Sequence, residues 1–138
     1  TNYLMLKYMA DHYQGPIVVP MTVVKPNYFA EIVGRLREDG IVVHHFALLA
    51  TKETILKRLK SRGDGKNSWA AHQIDRCLKG LTDPIFKHQL DTNQMTIDDV
   101  VHKIASMLDL QLLPDNRGPV KKKIDRVITQ VKQIRLFK

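Results

Sequence analysis

Apolar residues fall along this chain in two patterns, short continuous runs and longer segments with helical spacing. Residues 17–20 (IVVP) and 41–49 (IVVHHFALL) are almost entirely apolar and rich in β-branched side chains. Runs of this kind are typical of strands buried on both faces, as the strands of parallel sheets are. We therefore predict strands at these two positions, and a weaker strand around residues 87–91.

Amphipathic helices are predicted between these strands, because apolar residues recur there every three to four positions. One helix should begin at Pro26 and end near Gly40, and Thr51 and Thr96 should cap later helices. This alternation of strand and helix predicts an α/β fold in which helices cover a parallel sheet. Such sheets usually have more than three strands, so we expect a part of the sheet N-terminal to Thr1 to be missing from this sequence.

The pattern also predicts how the chain is organised into segments. Residues 1–113 should form the α/β core, and within them residues 51–80 should form two helices joined by the Gly-Asp-Gly hinge at 63–65. Residues 114–138 begin with a turn-rich linker and continue as a basic amphipathic helix.

Charge separates the two ends of the chain more sharply than hydrophobicity does. The net charge is +8 over 138 residues, and residues 119–138 alone hold seven Lys and Arg against one Asp. The rest of the chain is therefore close to balanced. A single cysteine, Cys77, suits a reducing compartment. The apolar runs are strand-sized and no signal peptide is visible, so a cytoplasmic protein is expected.

The segment 51–62 (TKETILKRLKSR) is the most highly charged part of the core, with five cations and one acid. Arg58 and Arg62 are four residues apart and should point from one face of a helix. Two guanidinium groups so placed can bind phosphate oxygens bidentately, and the glycine hinge would let the arm close over them. A solvated helix face explains the same pattern, and Asp75 is a candidate partner for the neighbouring Arg76.

Other candidate ligand contacts lie beside the predicted strands and the hinge. Met21 and Thr22 follow the run 17–20, and open α/β sheets bind ligands beyond the carboxyl ends of their strands. Asp91 and Thr92 end the last predicted strand and could line an adenine site, or simply close the strand. Trp69 could stack on a base or a sugar, or pack within the hinge.

His44 and His45 are adjacent in the strongest predicted strand. Successive side chains of a strand point to opposite faces, so these two cannot bind one metal ion together. One of them is a candidate for a ligand cleft, and a buried histidine is the alternative.

The order of these segments resembles that of P-loop kinases. In those enzymes an apolar strand precedes a lid helix with the pattern found here at Glu53, Leu56, Leu59 and Arg62, and residues 90–104 (LDTNQMTIDDVVHKI) resemble their last core strand and the following helix. The run from Val19 to Cys77 looks like the ATP-binding tunicamycin resistance proteins of bacilli. Its most specific parts are GKNSWAA (65–71) and QIDRC (73–77).

The resemblance implies a three-layer α/β fold of the P-loop NTPase, kinase-like type. It implies that the protein binds ATP and protects a bacterium against a nucleoside antibiotic, which is then the expected small-molecule ligand. No G-x-x-x-x-G-K-[ST] sequence occurs in these residues. The P-loop, which would hold ATP and Mg²⁺, is therefore expected upstream of Thr1, together with its strand and helix.

The resemblance also implies roles for several residues. The arm with Arg58 and Arg62 would be the lid, and Arg76 would face the nucleotide or phosphate region. These arginines would stabilise charge on a transferred phosphoryl group. The residues expected at the nucleotide are Arg58, Arg62, Asp91 and Thr92. The candidates at the substrate, Met21, Thr22 and Trp69, rest on their positions after the first predicted strand and beside the hinge and not on the resemblance.

Two functions stay open at this point. The protein is either a small-molecule kinase, although no residue stands out as a general base, or a non-catalytic ATP-dependent protein that sequesters the drug. The helix in 119–138 could hold it peripherally on the inner face of the membrane, or its apolar stripe could pack onto the protein's own core. Nucleic-acid binding is disfavoured, because Phe137 is the only aromatic residue in the tail. The apolar stripe consists of Val120, Ile124, Val127, Ile128, Val131 and Ile134.

Overall fold

The computed structural model describes residues 2–133, which form a mixed α/β structure. The chain divides into two compact units, one that extends to Val101 and one that begins at His102. The first unit contains a two-stranded parallel sheet and most of the helices.

Helix α1 (Asn2–His12) is followed by a helical stretch in three parts. These parts are α2 (Pro26–Phe29), a π-helical segment (Ala30–Gly34) and α3 (Arg35–Glu38). The helix predicted after Pro26 is confirmed, and so is its end at Gly40, which has φ +83°. In this left-handed conformation, which favours glycine, the chain turns so that the Ile41 amide donates to the carbonyl of Leu36 at 3.0 Å.

The sheet consists of β1 (Ala47–Leu49) and β2 (Gln89–Asp91), which are parallel. In the register of this pair, Ala47 lies opposite Gln89 and Leu49 lies opposite Asp91. The parallel pairing predicted from the alternation of elements is confirmed. Both strands are shorter than predicted, because residues 41–46 and 87–88 lie outside them.

The prediction of a strand at 17–20 is wrong, so the described sheet has two strands instead of three. Among the described residues, no backbone hydrogen bond joins this segment to a neighbour. A strand is stable only when its amide and carbonyl groups are paired, and an apolar run alone does not supply that pairing. Val18, within this segment, is accordingly 88% exposed.

Two apolar clusters stabilise the first unit. Phe86, which is 1% exposed, packs with Phe29, Val33 and Ala47, so helix and sheet are joined at this point. A second cluster joins α1 to the interrupted helix and consists of Tyr3, Leu6 and Leu36. Full burial of a phenylalanine stabilises a fold by roughly 1.5–3 kcal/mol, which makes Phe86 a principal core residue.

Helices α4 (Lys52–Ser61) and α5 (Trp69–Gly80) form the predicted helix pair and contact each other. Thr51 caps α4 as predicted, because its hydroxyl accepts a hydrogen bond from the Thr54 amide at 3.2 Å. Ser68 caps α5 in the same way. Gly63, with φ +91°, ends the first helix at the expected hinge.

Helix α6 (Ile97–Met107) spans the point where the two units divide, and α7 (Pro119–Gln133) belongs to the second unit. Thr96 caps α6 as predicted, since its hydroxyl accepts from the Asp99 amide and the Asp99 carboxylate accepts from the Thr96 amide. The terminal helix is confirmed through residue 133, and its predicted continuation over 134–138 lies outside the described residues. No helix within 2–133 has both the length and the apolar character needed to cross a bilayer.

Candidate functional site

The carboxyl ends of β1 and β2 lie side by side, because the strands are parallel and in register. Thr92 follows β2 directly and is only 5% exposed. Its amide donates to the Leu49 carbonyl at 2.7 Å, and its hydroxyl donates to the same carbonyl at 2.9 Å. Thr92 therefore joins the two strand ends and is a buried polar residue whose hydrogen bonds are satisfied.

Arg58 reaches this point from α4. Its Nη1 donates to the Thr92 hydroxyl at 2.9 Å, and its Nη2 donates to the Thr92 carbonyl. Hydrogen bonds from a charged donor are roughly twice as strong as neutral ones, so this pair holds α4 against the end of β2. The Arg58 guanidinium, which was predicted to bind phosphate, is hydrogen-bonded instead to Thr92 at the end of β2.

Asn93, in the loop after β2, completes this arrangement. The Asn93 side-chain oxygen accepts from the Thr51 backbone amide at 2.9 Å. The Asn93 backbone amide donates to the Asp91 carboxylate at 2.9 Å. Sequence reasoning missed Asn93, although Asp and Asn directly after a strand are typical of side-chain-stabilised turns. We call Leu49, Thr51, Arg58, Thr92 and Asn93 the strand-end network.

Arg62 does not share an acceptor with Arg58. It lies at the C-cap of α4, and its Nη2 pairs with the Asp64 carboxylate at 3.1 Å. The two side chains are 52% and 41% exposed, so this is a surface ion pair of small energetic value. The two arginines predicted to act together on one phosphate have separate partners in this structure.

Arg76 lies on α5 and lines an open cavity with Lys25 and Lys79. Its Nε donates to the Gln73 side-chain oxygen at 2.8 Å. The proposed pairing of Arg76 with its neighbour Asp75 is wrong, because that carboxylate accepts from Lys52 at 2.9 Å. Successive residues of a helix point in directions about 100° apart, so adjacent side chains rarely face each other.

None of the residues predicted at the substrate follows a strand in the described part of the chain. Met21 and Thr22 are exposed and follow a segment that is not a strand, so the argument that placed them beside a ligand does not apply. Trp69 begins α5 and is 77% exposed, which excludes the interpretation that it packs within the hinge. Its ring is open to solvent on the arm that carries Arg76.

His45 is the histidine that contacts the core, whereas His44 is exposed. Its ring lies 5.0 Å from the ring of Phe29 and 5.5 Å from that of Phe86. Burial lowers the pKa of His45, and the nearby charge of Arg37 lowers that pKa further. The alternative of a buried histidine therefore describes His45 better than a ligand contact does.

A solved structure similar to this chain is that of the tunicamycin resistance protein of Deinococcus radiodurans. The TM-score is 0.67 and the sequences are 26% identical, with the match covering 82% of this chain and 64% of that protein. The chain thus spans less than two thirds of that protein's length, and it is related to it in both fold and sequence. No family model matches the chain, and no curated protein sequence matches it significantly.

Proposed function

We propose that this chain functions in tunicamycin resistance. The observation that carries the proposal is the likeness to the Deinococcus radiodurans tunicamycin resistance protein over 82% of the chain, with 26% identity and a TM-score of 0.67. The match includes most of the first unit by length, and so extends well beyond a single shared motif. The proposal concerns the role of the protein, and the chemistry is a separate question with two candidate answers.

The first candidate is phosphorylation of the drug from ATP. In this mechanism ATP and Mg²⁺ bind at a Gly-Lys-Ser/Thr loop outside this sequence, and the ends of β1 and β2 form the wall beside the adenine. Asp91 and Thr92 lie at that wall, and Thr92 is fixed by its bonds to Leu49 and Arg58. The strand-end network favours this candidate, because its hydrogen bonds attach α4, the proposed lid helix, to the end of β2.

The roles that we assign to the three arginines follow from their hydrogen-bond partners. Arg58 is held by Thr92 and acts as a positioning residue for the lid. Arg62 is bound only through Nη2 to an exposed Asp64, and Arg76 only through Nε to Gln73. The phosphate contacts in this mechanism therefore belong to Arg62 and Arg76, whose remaining N–H groups have no acceptor among residues 2–133.

The second candidate is ATP-dependent sequestration of the drug at the membrane surface, without catalysis. It is favoured by α7, because the described part of its apolar stripe is open to solvent: Val120 is 72%, Ile124 52% and Val127 51% exposed. A basic helix with an exposed apolar face binds anionic lipid surfaces through charge attraction and burial of that face. We assign this surface of α7 to a membrane with anionic lipids.

The charges around α7 support this assignment. Arg117 donates to the Asp115 and Asp125 carboxylates at 2.8 Å, and Lys122 lies 3.7 Å from Asp115. The acidic groups at the start of the helix are thereby neutralised by neighbours within the second unit. Three exposed cations of α7 have no acidic partner among the described residues, namely Lys121, Lys123 and Arg126.

One incubation separates the two mechanisms. The full-length protein is mixed with ATP, Mg²⁺ and tunicamycin, and the drug is then examined by mass spectrometry. A mass gain of one phosphate on the drug supports the kinase mechanism. Retention of unmodified drug by the protein in an ATP-dependent manner supports sequestration. Failure to bind or modify the drug under any nucleotide condition would remove both mechanisms.

Flotation with liposomes tests the membrane assignment. The wild-type chain should float with vesicles that contain phosphatidylglycerol and remain behind with vesicles of phosphatidylcholine alone. Ile124→Asp places a charge on the apolar stripe of α7 and should abolish flotation. Val42→Asp makes the same change at a valine that is 80% exposed in the first unit, and it should float like the wild type. Equal flotation of the two variants contradicts the assignment.

A further inference from the structure

We propose that the cavity between residues 24–26 and the end of α5 is a binding site for a phosphate group. The cavity has a volume of about 330 Å³ and lies within the first unit. Its walls consist of Val24, Lys25, Pro26, Arg76, Lys79, Gly80, Thr82 and Asp83. This site shares no residue with the strand-end network. It shares Arg76 with the phosphate contacts of the kinase mechanism and in that respect rests on the proposed function, whereas Lys25 and Lys79 belong to this cavity alone.

The cavity carries more positive than negative charge. Lys25, Arg76 and Lys79 supply three cations, and Asp83 is the one acid among its lining residues. The Asp83 carboxylate accepts from the Ile85 amide at 2.9 Å, so it is engaged in a local turn. The site therefore has a net charge of about +2, which is the complement of a phosphate monoester at neutral pH.

Several N–H donors of the cationic groups at the cavity have no acceptor in the described part of the chain. Lys79 Nζ has no acceptor among residues 2–133, and Arg76 uses only Nε, for the bond to Gln73. Lys25 Nζ lies 5.6 Å from the centre of the Tyr28 ring, and this cation–π contact leaves its N–H donors able to bind an anion. Cationic donors without acceptors on residues that line one cavity favour an anionic ligand.

Gly80 lets the end of α5 lie close to residues 24–26 on the opposite side of the cavity. A Cβ at this position would lie 2.6 Å from the Val24 carbonyl oxygen and 2.8 Å from the Val24 Cβ. Such contacts require the backbone to move, so only glycine lets the end of α5 approach residues 24–26 this closely. Because Lys79 directly precedes Gly80 and Lys25 follows Val24, this approach brings cations from two segments to one cavity.

The chemistry of the lining favours phosphate over carboxylate. A carboxylate carries one negative charge and accepts through two oxygens, whereas a phosphate monoester carries about −1.5 to −2 and accepts through three. A guanidinium binds two phosphate oxygens at once, and an ammonium can bind the third. The volume also leaves room for a substituent on the phosphate, so inorganic phosphate and a phosphate ester share the binding chemistry.

Calorimetric titration of the full chain tests the site, with inorganic phosphate, AMP and adenosine as separate ligands. Phosphate and AMP should bind, and adenosine should not. Lys79→Ala should weaken phosphate binding about tenfold, which corresponds to the loss of about 1.4 kcal/mol. Lys60→Ala is the matched control, because it removes one exposed charge on α4 outside the cavity, and it should change the affinity less than twofold.

The three ligands also identify the source of the phosphate group. Tighter binding of AMP than of phosphate, with the same loss in Lys79→Ala, indicates a phosphate ester as the ligand. Equal binding of the two indicates the free anion. The proposal is overturned if phosphate does not bind the wild type, if adenosine binds as well as AMP, or if Lys79→Ala and Lys60→Ala lose the same affinity. Circular dichroism of both variants establishes that they are folded.

Discussion

Helices α4 and α7 are both basic and amphipathic, but the structure uses them differently. In α4 the apolar side is packed, with Leu59 8% exposed, whereas in α7 Ile124 is 52% exposed. The cations differ in part as well, although Lys57 and Lys60 on α4 also have no acidic partner among the described residues. Three cations in and at the end of α4 have protein partners, namely Lys52 with Asp75, Arg58 with Thr92 and Arg62 with Asp64. On α7, Lys121, Lys123 and Arg126 have no acidic partner among the described residues.

This difference teaches that a count of charges does not identify a binding surface. Both helices have the same sequence signature, and only the positions of their partners distinguish them. A cation bonded to a buried strand end stabilises the fold, because release of the bond would leave a polar group unsatisfied. A cation without a partner, next to exposed apolar side chains, is available to another molecule.

The strongest challenge to this comparison is removal of one apolar side chain from each helix. Leu59→Ala should lower the free energy of unfolding by about 2–5 kcal/mol, because it leaves a cavity beneath α4. Ile124→Ala should lower it by less than about 1 kcal/mol, since that side chain is half exposed. Urea denaturation of both variants gives the two values. Similar losses would mean that α7 is packed as firmly as α4.

The next largest effect should come from the link between α4 and the strand end. Arg58→Ala removes both donors to Thr92, and we expect a loss of about 1 kcal/mol in unfolding free energy. Lys57→Ala is the control, because it removes an adjacent exposed cation that has no hydrogen-bonding or acidic partner among residues 2–133. Its effect should be within about 0.5 kcal/mol. Arg58 would not be a structural residue if the two variants had equal stability.

The smallest expected effect on stability comes from Asp115, which lies shortly before α7. The hydrogen bond from Arg117 lowers the pKa of Asp115 well below its usual range. Because the folded-state pKa is the lower one, the contribution of this contact is fully present above about pH 4 and is lost as the pH falls through the folded-state pKa. An NMR titration of the Asp115 carboxyl carbon measures that pKa directly.

The same titration of Arg117→Ala provides the comparison. The pKa of Asp115 should return towards its ordinary value when the guanidinium is removed. An unchanged pKa would show that Arg117 does not neutralise this carboxylate, and that the acidic groups near α7 remain available to oppose an anionic surface.

Local features of the fold were predictable from the sequence, and features that depend on distant partners were not. The cap at Thr51 and the helix end at Gly40 follow from residues within one turn of each position. The strand predicted at 17–20 failed because pairing with another strand is not encoded in an apolar run. The elements were therefore largely predictable, and the extent of the sheet was not.

The candidate site likewise contains local contacts that the sequence predicts and contacts between distant segments that it does not. The pairing of Arg62 with Asp64 is local and could have been predicted from their separation of two residues. The bond of Arg58 to Thr92 joins residues that are 34 positions apart, and it depends on how α4 meets β2. The cavity at Lys25 and Lys79 likewise joins distant segments, so its cations could not be grouped from sequence alone.

The measurement that tests the proposed role most directly is growth of a tunicamycin-sensitive bacterium that expresses the gene encoding this chain. The minimal inhibitory concentration of tunicamycin should rise relative to an empty vector, while that of an antibiotic with an unrelated target stays the same. Western blotting establishes that the protein accumulates in the soluble or membrane fraction. An unchanged inhibitory concentration of tunicamycin in cells that contain the protein would contradict the proposed function.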